Sequence, residues 1–391
     1  PSSSNRVWKF LVLVRQIRTV CALFIPSTCS RRRETSLVGG AYLLNRYLQR
    51  KLHDWETKQT QGYIDQIKHQ HHFEGILQTS DSTILSLLTK IREPLLAILE
   101  TDSLLEKLKT RPANRVELWE EIKVRILTFA LSSVYAESLL ASLLRVQLGV
   151  VGGYVYVNSQ RAQQNSGGVL PALTNQDIHQ RYLSLVQHFF ENGVHELVRL
   201  VRDAVVAAFG HISLKERVGP ADFAVGFDFV KKHISRDSKK PLPGFLRLLL
   251  PPLEVEGDTD DVRVLNVMIL ETRDILETDD FAKVLRLCID QGCANLTDDV
   301  EICFRNMRAA QDEGGSGDQA AASAAPAATT AFAMAKLLPV LRNSLVSARQ
   351  DAFLKTILQA ELLRSMLANV YEAFCQTEDA DRINHNLAPL S

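Results

Sequence analysis

One uninterrupted helical stretch, NRVELWEEIKVRILTFALSSVYAESLLASLLRVQL, occupies residues 114–148 and decides the fold of the chain. It contains neither Pro nor Gly, and such a run of helix-forming residues favours one long helix. Its first turns are charged around a single tryptophan, Trp119, whereas apolar residues occupy nearly every face from Ile126 onward. A helix that is apolar all round is either a membrane span or the central rod of a helical domain.

Polar groups in the apolar half decide between these two possibilities. Glu137, Arg145 and several serines lie within it, and such groups are costly in lipid. We therefore predict a buried central helix whose amphipathic N-terminal end carries Trp119 near the surface. The glycines of residues 149–153, in LGVVGGYVYVN, are predicted to close this helix as a C-terminal cap or to permit a close backbone approach. A short strand at YVYVN is the alternative, without a partner strand nearby.

The composition is that of a globular protein with a sizeable core. Of the 391 residues 46% are hydrophobic, which is normal for a soluble domain. Lys plus Arg and Asp plus Glu number 45 each, so no overall charge field favours nucleic acid as a partner. The six cysteines form no CxxC pair, which argues against a disulfide framework or a zinc site and favours a reducing compartment.

The remaining regular patterns are helical as well. No alternation of strand with helix and no regular hairpin spacing is present, so the predicted class is all-α. A cap at residues 80–82 is expected to begin a new helix at Thr83. Earlier on the chain, Tyr63, Ile64, Ile67 and Phe73 are spaced for one buried face. The helices are predicted over residues 40–78, 83–99, 102–109, 175–209, 213–235 with a break at Gly219 and Pro220, 261–274, 279–306 and 337–374, with a mostly irregular loop at 236–262 and a low-complexity linker at 309–331.

No catalytic signature is present in the sequence. The phosphate-binding GxxxxGK[ST], the dinucleotide-binding GxGxxG and the hydrolase GxSxG are all missing. The acidic pairs at residues 120–121 and 298–299 diverge on a helix and are predicted to be solvated. No catalytic or cofactor-binding residue is therefore proposed, and a helical enzyme remains an unsupported alternative.

The histidines and cysteines give no metal site either. His69, His71 and His72 lie close together, but only His69 and His72 share a helix face and no carboxylate completes a ligand set. A solvated helix surface is the preferred interpretation of the histidines. Four scattered thiols are predicted to be small core hydrophobes rather than nucleophiles: Cys288, Cys293, Cys303 and Cys375.

Trp119 is the main candidate for a functional residue. Together with Leu108, Val116 and Ile122 it is placed to build an apolar patch, beside the basic residues Lys109, Arg111 and Arg115. Such patches receive amphipathic partner helices, and an aromatic side chain often supplies much of the affinity. The alternative is that Trp119 packs inward under the preceding helix, and spacing alone does not choose between the two.

The N-terminal segment is apolar but interrupted by charge. Residues 7–26, VWKFLVLVRQIRTVCALFIP, are cut by Arg15 and Arg18, whereas a spanning helix needs about 20 mostly apolar residues. A membrane-targeting or anchoring segment, a secretory signal peptide and an unstructured tail are the three interpretations.

Two motifs carry a family resemblance. KTRPANRVELWEEIK, residues 109–123, followed by LLRVQLGVVGGYVYVN, residues 143–158, resembles the peroxin-3 family of peroxisomal biogenesis factors. The likeness extends over most of the chain, for example at IDQIKHQHHFE, residues 64–74. The chain departs from the family pattern between Val12 and Glu34, where extra residues bring arginines into or beside the apolar segment at a cost in a bilayer.

The resemblance implies an all-α fold, an elongated twisted bundle of long helices with an N-terminal membrane-anchor segment. It implies no enzymatic activity and no cofactor or metal. The expected organisation is an anchor and targeting segment at residues 1–48, a cytosolic bundle at 49–376 and a polar tail at 377–391. The expected location is the peroxisomal membrane with the bulk of the chain facing the cytosol, and a route through the endoplasmic reticulum is left open.

The resemblance also implies a partner. The family docks peroxin-19, the soluble carrier of peroxisomal membrane proteins, by accepting an amphipathic helix in an apolar groove, and so enables their targeting and insertion. A soluble helical interaction scaffold without membrane anchoring is the alternative function. Carried over to this sequence, the expected groove residues are Leu108, Lys109, Pro112, Arg115, Leu118, Trp119, Ile122 and Val155.

Overall fold

The computed structural model of the chain describes residues 34–99, 101–110, 114–163, 176–236, 240–251, 259–314, 331–348 and 350–375. The contacts within the chain separate two compact units, Pro1–Lys68 and His69–Ser391. The described part of the first unit is one continuous helical stretch, residues 34–68. The second unit contains the hydrophobic core and all the other described elements.

The described regions are almost wholly helical, which confirms the all-α class. Two π-helical turns, Phe189–Gly193 and Arg342–Ala348, connect neighbouring helices. Two short strands, β1 (Arg217–Val218) and β2 (Phe332–Ala333), pair antiparallel. The helices are α1 (Glu34–Leu99), α2 (Thr101–Lys109), α3 (Arg115–Gln163), α4 (Gln176–Leu183), α5 (Val186–His188), α6 (Val194–Phe209), α7 (Pro220–Ser235), α8 (Leu246–Leu249), α9 (Asp260–Glu277), α10 (Asp279–Gly314), α11 (Met334–Leu341), α12 (Gln350–Leu358) and α13 (Glu361–Cys375).

Helix α3 is the central rod of the second unit, as the sequence predicts. Every residue from 126 to 150 is buried, and α2, α4, α6 and α9–α13 all pack against it. By length and composition, Arg115–Ala162 is the one described helix apolar enough to cross a membrane, but its apolar window is entirely buried within the protein. It is therefore the core helix of the bundle.

The buried arginine of α3 is neutralised by a neighbouring helix. Arg145 donates hydrogen bonds through Nη2 to Asp81 on α1 and, at 3.3 Å, to the carbonyl of Leu358 on α12. A longer contact of 3.4 Å joins its Nη1 to the carbonyl of Leu77. Burial lowers the pKa of the Arg145 guanidinium, and Asp81 opposes this shift. A charge this deep in a core is tolerated only when it is paired and hydrogen-bonded.

This use of Asp81 explains why the predicted cap at residues 80–82 is wrong. Helix α1 runs through these residues without a break and contains Pro94 within its length. Ser80 is buried and Asp81 bonds sideways to Arg145 instead of capping a new helix. The polar residues that resemble a helix start therefore lie within α1, and Asp81 among them pairs with Arg145 of another helix.

The predicted end of the central helix is also wrong, because α3 continues through residues 149–153 to Gln163. The glycines there face neighbouring helices. A Cβ atom on Gly149 would lie 2.9 Å from Cγ1 of Val370, and one on Gly153 would overlap with Phe374, both on α13. The close backbone approach is the correct interpretation, and neither the cap nor the short strand forms.

The apolar face predicted around Tyr63 is not buried. Tyr63 is 66% exposed and Ile67 is 48% exposed, and in the first unit the described residues form only the helix that carries them. The helical spacing was recognised correctly, but no second described element of that unit covers the face. Phe73, in the second unit, is half-buried.

The described residues of the two predicted loops include helical and buried segments. Within 236–262, Leu242, Phe245 and Leu248 are buried in the core and residues 246–249 form α8, because the apolar run PGFLRLLLPPL has core surface to cover. The predicted linker at 309–331 begins within α10, which continues to Gly314. The predicted anchor up to residue 33, the rest of the linker and the polar tail lie outside the described residues.

Replacement of Gly153 by alanine is expected to destabilise the protein. The added methyl group meets both the side chain and the backbone of Phe374, and overpacking of this kind costs about 1–3 kcal/mol. Urea unfolding followed by circular dichroism measures the loss. The matched control is Gly75→Ala on α1, where a Cβ meets nothing within 4 Å and the helix gains about 0.5–1 kcal/mol. Equal behaviour of the two variants would contradict the packing role of Gly153.

Candidate partner-binding site at the start of helix α3

Trp119 lies where the hydrophobic core reaches the surface. Trp119, Ile122 and Ile126 fall within about 60° of one another around α3, because each residue advances the helix by about 100°. Ile122 and Ile126 are buried, whereas Trp119 is half-buried and packs against the core cluster. Val116, on the turn before Trp119, is 68% exposed. The two alternatives for Trp119 are therefore both partly right, since its inner part supports the core and its outer part is open.

Helix α2 ends shortly before the first turn of α3. It packs against α3, and its last two residues differ in exposure. Leu108 is buried in the core, whereas Lys109 is exposed. Together with the exposed Arg115 on α3, Lys109 gives the surface a basic margin. We call the set formed by Leu108, Lys109, Arg115, Val116, Leu118, Trp119 and Ile122 the Trp119 surface.

The structure refines the roles of two predicted contact residues. Ile122 is 1% exposed, so it supports the Trp119 surface from below and does not itself reach solvent. Leu118 is half-buried and packs against the core cluster. Pro112 lies outside the described residues.

Val155 does not belong to the Trp119 surface. Both residues lie on α3, and the thirty-six residue steps between them correspond to about 54 Å at about 1.5 Å per residue. Val155 is 38% exposed and follows Gly153, which packs on α13 at the opposite end of the rod. One groove cannot contain both residues, and the inclusion of Val155 is corrected for this geometric reason.

A cluster of ion pairs fixes the first turns of α3 against α6. The carboxylate of Glu121 accepts hydrogen bonds from Nη1 and Nη2 of Arg202 at 3.0 and 2.9 Å, and from Nε of Arg125 at 2.7 Å. Burial raises the pKa of the Glu121 carboxyl, but the hydrogen bonds to Arg202 and Arg125 outweigh this and leave the pKa below its ordinary value. A bidentate arginine–carboxylate pair constrains orientation as well as distance, so it holds the first turns of α3 in one orientation against α6.

Lys123 strengthens the same attachment. Its side chain is fully buried, and Nζ donates to the carbonyl of Ile212 and to Oε2 of Glu120, both at 2.6 Å. The prediction that Glu120 and Glu121 are solvated is therefore wrong, and so is the same prediction for Asp299, which is buried. Arg202, the partner of Glu121, and Ile212, the partner of Lys123, lie far along the chain, where no sequence spacing indicates them.

Of the three histidines, His71 is exposed as predicted, whereas His69 and His72 do not lie on a solvated surface. His72 Nδ1 lies 2.9 Å from the hydroxyl of Tyr371, and His69 Nε2 lies 3.3 Å from Oε2 of Glu372. Both rings also contact Tyr156. Burial, and secondly the neighbouring His69, lower the pKa of His72. Within the described residues no three His, Cys, Asp or Glu side chains are placed to hold a metal ion. The contacts of His69 and His72 with Tyr371 and Glu372 instead join α1 to α13.

The cysteines agree with the prediction of core residues. Cys288, Cys293 and Cys303 are buried, and Cys375 is half-buried. Burial raises the pKa of the Cys288 and Cys293 thiols to about 12. These thiols stay protonated at neutral pH and are poor nucleophiles.

Comparison with known proteins identifies the family. The family model named peroxin-3 matches residues 109–373, which is more than half of the chain. The chain belongs to the peroxin-3 family. The match begins at the last residue of α2 and includes all of α3, so the Trp119 surface lies within the part that defines the family, apart from Leu108.

Full-length relatives agree with this assignment. Peroxisomal biogenesis factor 3 of Bos taurus is 32% identical over 369 residues, which covers 89% of this chain and 95% of that protein. The Homo sapiens protein of the same name is 31% identical with the same coverage. Peroxisome biogenesis protein 3-1 of Arabidopsis thaliana is 22% identical over 284 residues, or 68% of this chain and 79% of that protein. Membership of the peroxin-3 family gives this chain a non-enzymatic role in peroxisome biogenesis and an association with peroxisomes.

The attachment of α3 to α6 predicts a pH-dependent effect of Arg202→Gln. At neutral pH this variant is expected to lose about 1 kcal/mol, because Arg202 is partly exposed and water screens the pair. In the folded protein the pKa of Glu121 lies below its ordinary value of 4.5. The ion pair therefore stabilises the folded protein fully above pH 4.5, and this stabilisation is lost as the pH falls through the lower pKa of the folded state.

Denaturant unfolding of both proteins across this pH range measures the effect. The difference between wild type and Arg202→Gln is expected to shrink as the pH falls below 4.5. Arg199→Gln on the same helix is the control, since its side chain is 70% exposed and its loss is expected to be within about 0.5 kcal/mol. If the difference in unfolding free energy between wild type and Arg202→Gln stays constant down to low pH, Glu121 is not the residue through which Arg202 stabilises the protein.

Proposed function

We propose that the chain is a membrane docking receptor for peroxin-19, which brings newly made peroxisomal membrane proteins for insertion. The half-buried Trp119 at the open end of the core is the observation that carries this proposal. An amphipathic helix from peroxin-19 would cover the outer part of Trp119 and the exposed side chain of Val116. The assignment to the peroxin-3 family supports the peroxisomal setting, and the peroxin-19 partner is taken from the resemblance.

The Trp119 surface has the properties of a binding hot spot. Such sites combine a large aromatic residue with neighbours that exclude water and hold it in place. Trp119 packs against the core on its inner side, and the Glu121–Arg202 pair fixes its helix two residues later. Little conformational freedom is then lost on binding, which favours affinity.

The charges around the Trp119 surface favour a particular kind of partner helix. Lys109 and Arg115 are both exposed, whereas Glu117 lies about 160° away from Trp119 around α3. A partner helix with an apolar face and acidic residues along one margin would pack its apolar face on the Trp119 surface and pair its acidic residues with Lys109 and Arg115. Complementary charge of this kind steers encounter and fixes orientation more than it raises affinity.

We also propose that the N-terminal segment attaches the chain to the peroxisomal membrane while the helical bundle faces the cytosol. The apolar runs at 7–26 and 36–44 support this proposal. The tagged chain is expected to sediment with peroxisomal membranes and to resist alkaline extraction. A diffuse cytosolic distribution would instead favour the soluble scaffold as its function.

Two substitutions test the docking site by calorimetric titration with peroxin-19. Trp119→Ala is expected to weaken binding by about 2–4 kcal/mol, the range for an aromatic hot spot. Val116→Glu places a charge in the apolar contact and is expected to weaken binding by tenfold or more, since each 1.4 kcal/mol is a factor of ten. Because Val116 is 68% exposed, this variant is expected to fold normally.

Matched controls lie on α7. Phe229 is 46% exposed and Val225 is 71% exposed, so Phe229→Ala and Val225→Glu make comparable chemical changes on a different helix. Both controls are expected to bind peroxin-19 as the wild type does, and circular dichroism checks that all four variants are folded. Unchanged affinity of Val116→Glu and Trp119→Ala would refute the assignment of the site.

A further inference from the structure

The early turns of α1 carry a band of basic and aromatic side chains that the docking proposal does not use. Arg46, Tyr47, Arg50 and Lys51 are all exposed, and Nζ of Lys51 lies 5.9 Å from the centre of the Tyr47 ring. Arg46 with Arg50, and Tyr47 with Lys51, are four residues apart and therefore neighbours on one side of the helix. We call these four residues the basic band.

The sequence on either side of the basic band is strongly patterned. No acidic residue occurs at positions 35–53, and Asp54 ends this region. The apolar run SLVGGAYLL, residues 36–44, comes immediately before the band. One continuous helix, Glu34–Leu99, carries the apolar run and the band in succession. The helix therefore changes from apolar to basic along its axis within a few residues.

The spacing fits the boundary of a bilayer. Along the helix, at about 1.5 Å per residue, Arg46 lies about 3 Å beyond Leu44 and Lys51 about 10 Å beyond it. The headgroup region on each side of a bilayer is about 5–8 Å thick. If the apolar run enters the hydrocarbon to Leu44, the basic band extends across the headgroup region to its outer edge.

We propose that the basic band binds the anionic phospholipid headgroups of the membrane into which the N-terminal segment inserts. This inference rests on the proposed membrane attachment and adds a specific lipid contact to it. The guanidinium groups of Arg46 and Arg50 suit phosphate oxygens because they donate paired hydrogen bonds. Tyr47 suits the interface, where an aromatic ring with a polar tip is favoured.

Basic residues next to a membrane segment are attracted by an anionic membrane surface. In this chain Arg31, Arg32 and Arg33 precede the apolar run 36–44, as the basic band follows it. The basic band therefore supplies a lipid contact, and its charge alone does not set the orientation of the chain.

The test measures partition of the purified full-length chain onto two kinds of vesicle at low salt. One kind is phosphatidylcholine alone and the other also contains phosphatidylserine. Each basic residue near an anionic surface contributes about fivefold to partition, so Arg46→Gln, Arg50→Gln and Lys51→Gln together are expected to lower binding to the anionic vesicles by about 100-fold. Binding to phosphatidylcholine alone is expected to stay unchanged, and added salt is expected to reduce the difference.

The matched control removes the same net charge elsewhere. Arg199, Lys232 and Lys283 have side chains 70%, 71% and 70% exposed, and their combined replacement by glutamine is expected to leave the preference for anionic vesicles intact. An equal loss in this control would assign the effect to net charge and overturn the proposal. Equal binding of the wild type to both vesicles would overturn it as well, while leaving membrane attachment in place. Failure to bind either vesicle would overturn both the lipid contact and the proposed attachment.

Discussion

A helix that is apolar on every side has to be covered on every side, and this constraint on α3 organises the second unit. Helices α2, α4, α6 and α9–α13 pack against α3, and α1 bonds to it through Asp81 and Arg145. The forty-nine residues of α3 correspond to about 74 Å of helix. Elements near one end of such a rod have no access to the other, and the Trp119 surface is separated from the glycine contacts for this reason.

The sequence predicts the central helix, the all-α class and the buried cysteines because these depend on local composition and periodicity. It fails where a local signal has a distant cause. The glycines at 149–153 resemble a helix end, but their missing side chains accommodate α13 and Ile76 of α1. Asp81 resembles a cap, yet its partner Arg145 lies sixty-four positions away. No window of sequence contains both members of either contact.

The candidate site also has one part that local sequence predicts and another that depends on distant residues. Trp119 is identified by its unusual setting among charged residues, and its half-burial explains why neither simple alternative describes it fully. The family resemblance implies that Val155 lines the same groove, but Val155 and Trp119 lie about 54 Å apart along one straight helix. The contacts that hold the site are the ion pair from Glu121 to Arg202 and the hydrogen bond from Lys123 to the carbonyl of Ile212, and they join residues 81 and 89 positions apart along the chain. Sequence spacing contains no information about them.

Arg145 has a consequence for how this protein can diverge. Its guanidinium serves the carboxylate of Asp81 and the carbonyl of Leu358, with a longer contact to Leu77. Loss of Asp81 alone leaves a buried cation, which is costly. Loss of the arginine alone costs less at Asp81, because the Asp81 side chain is 39% exposed and stays in contact with water. The dependence is therefore one-sided, and a lineage that drops Asp81 is expected to have replaced Arg145 by an apolar side chain.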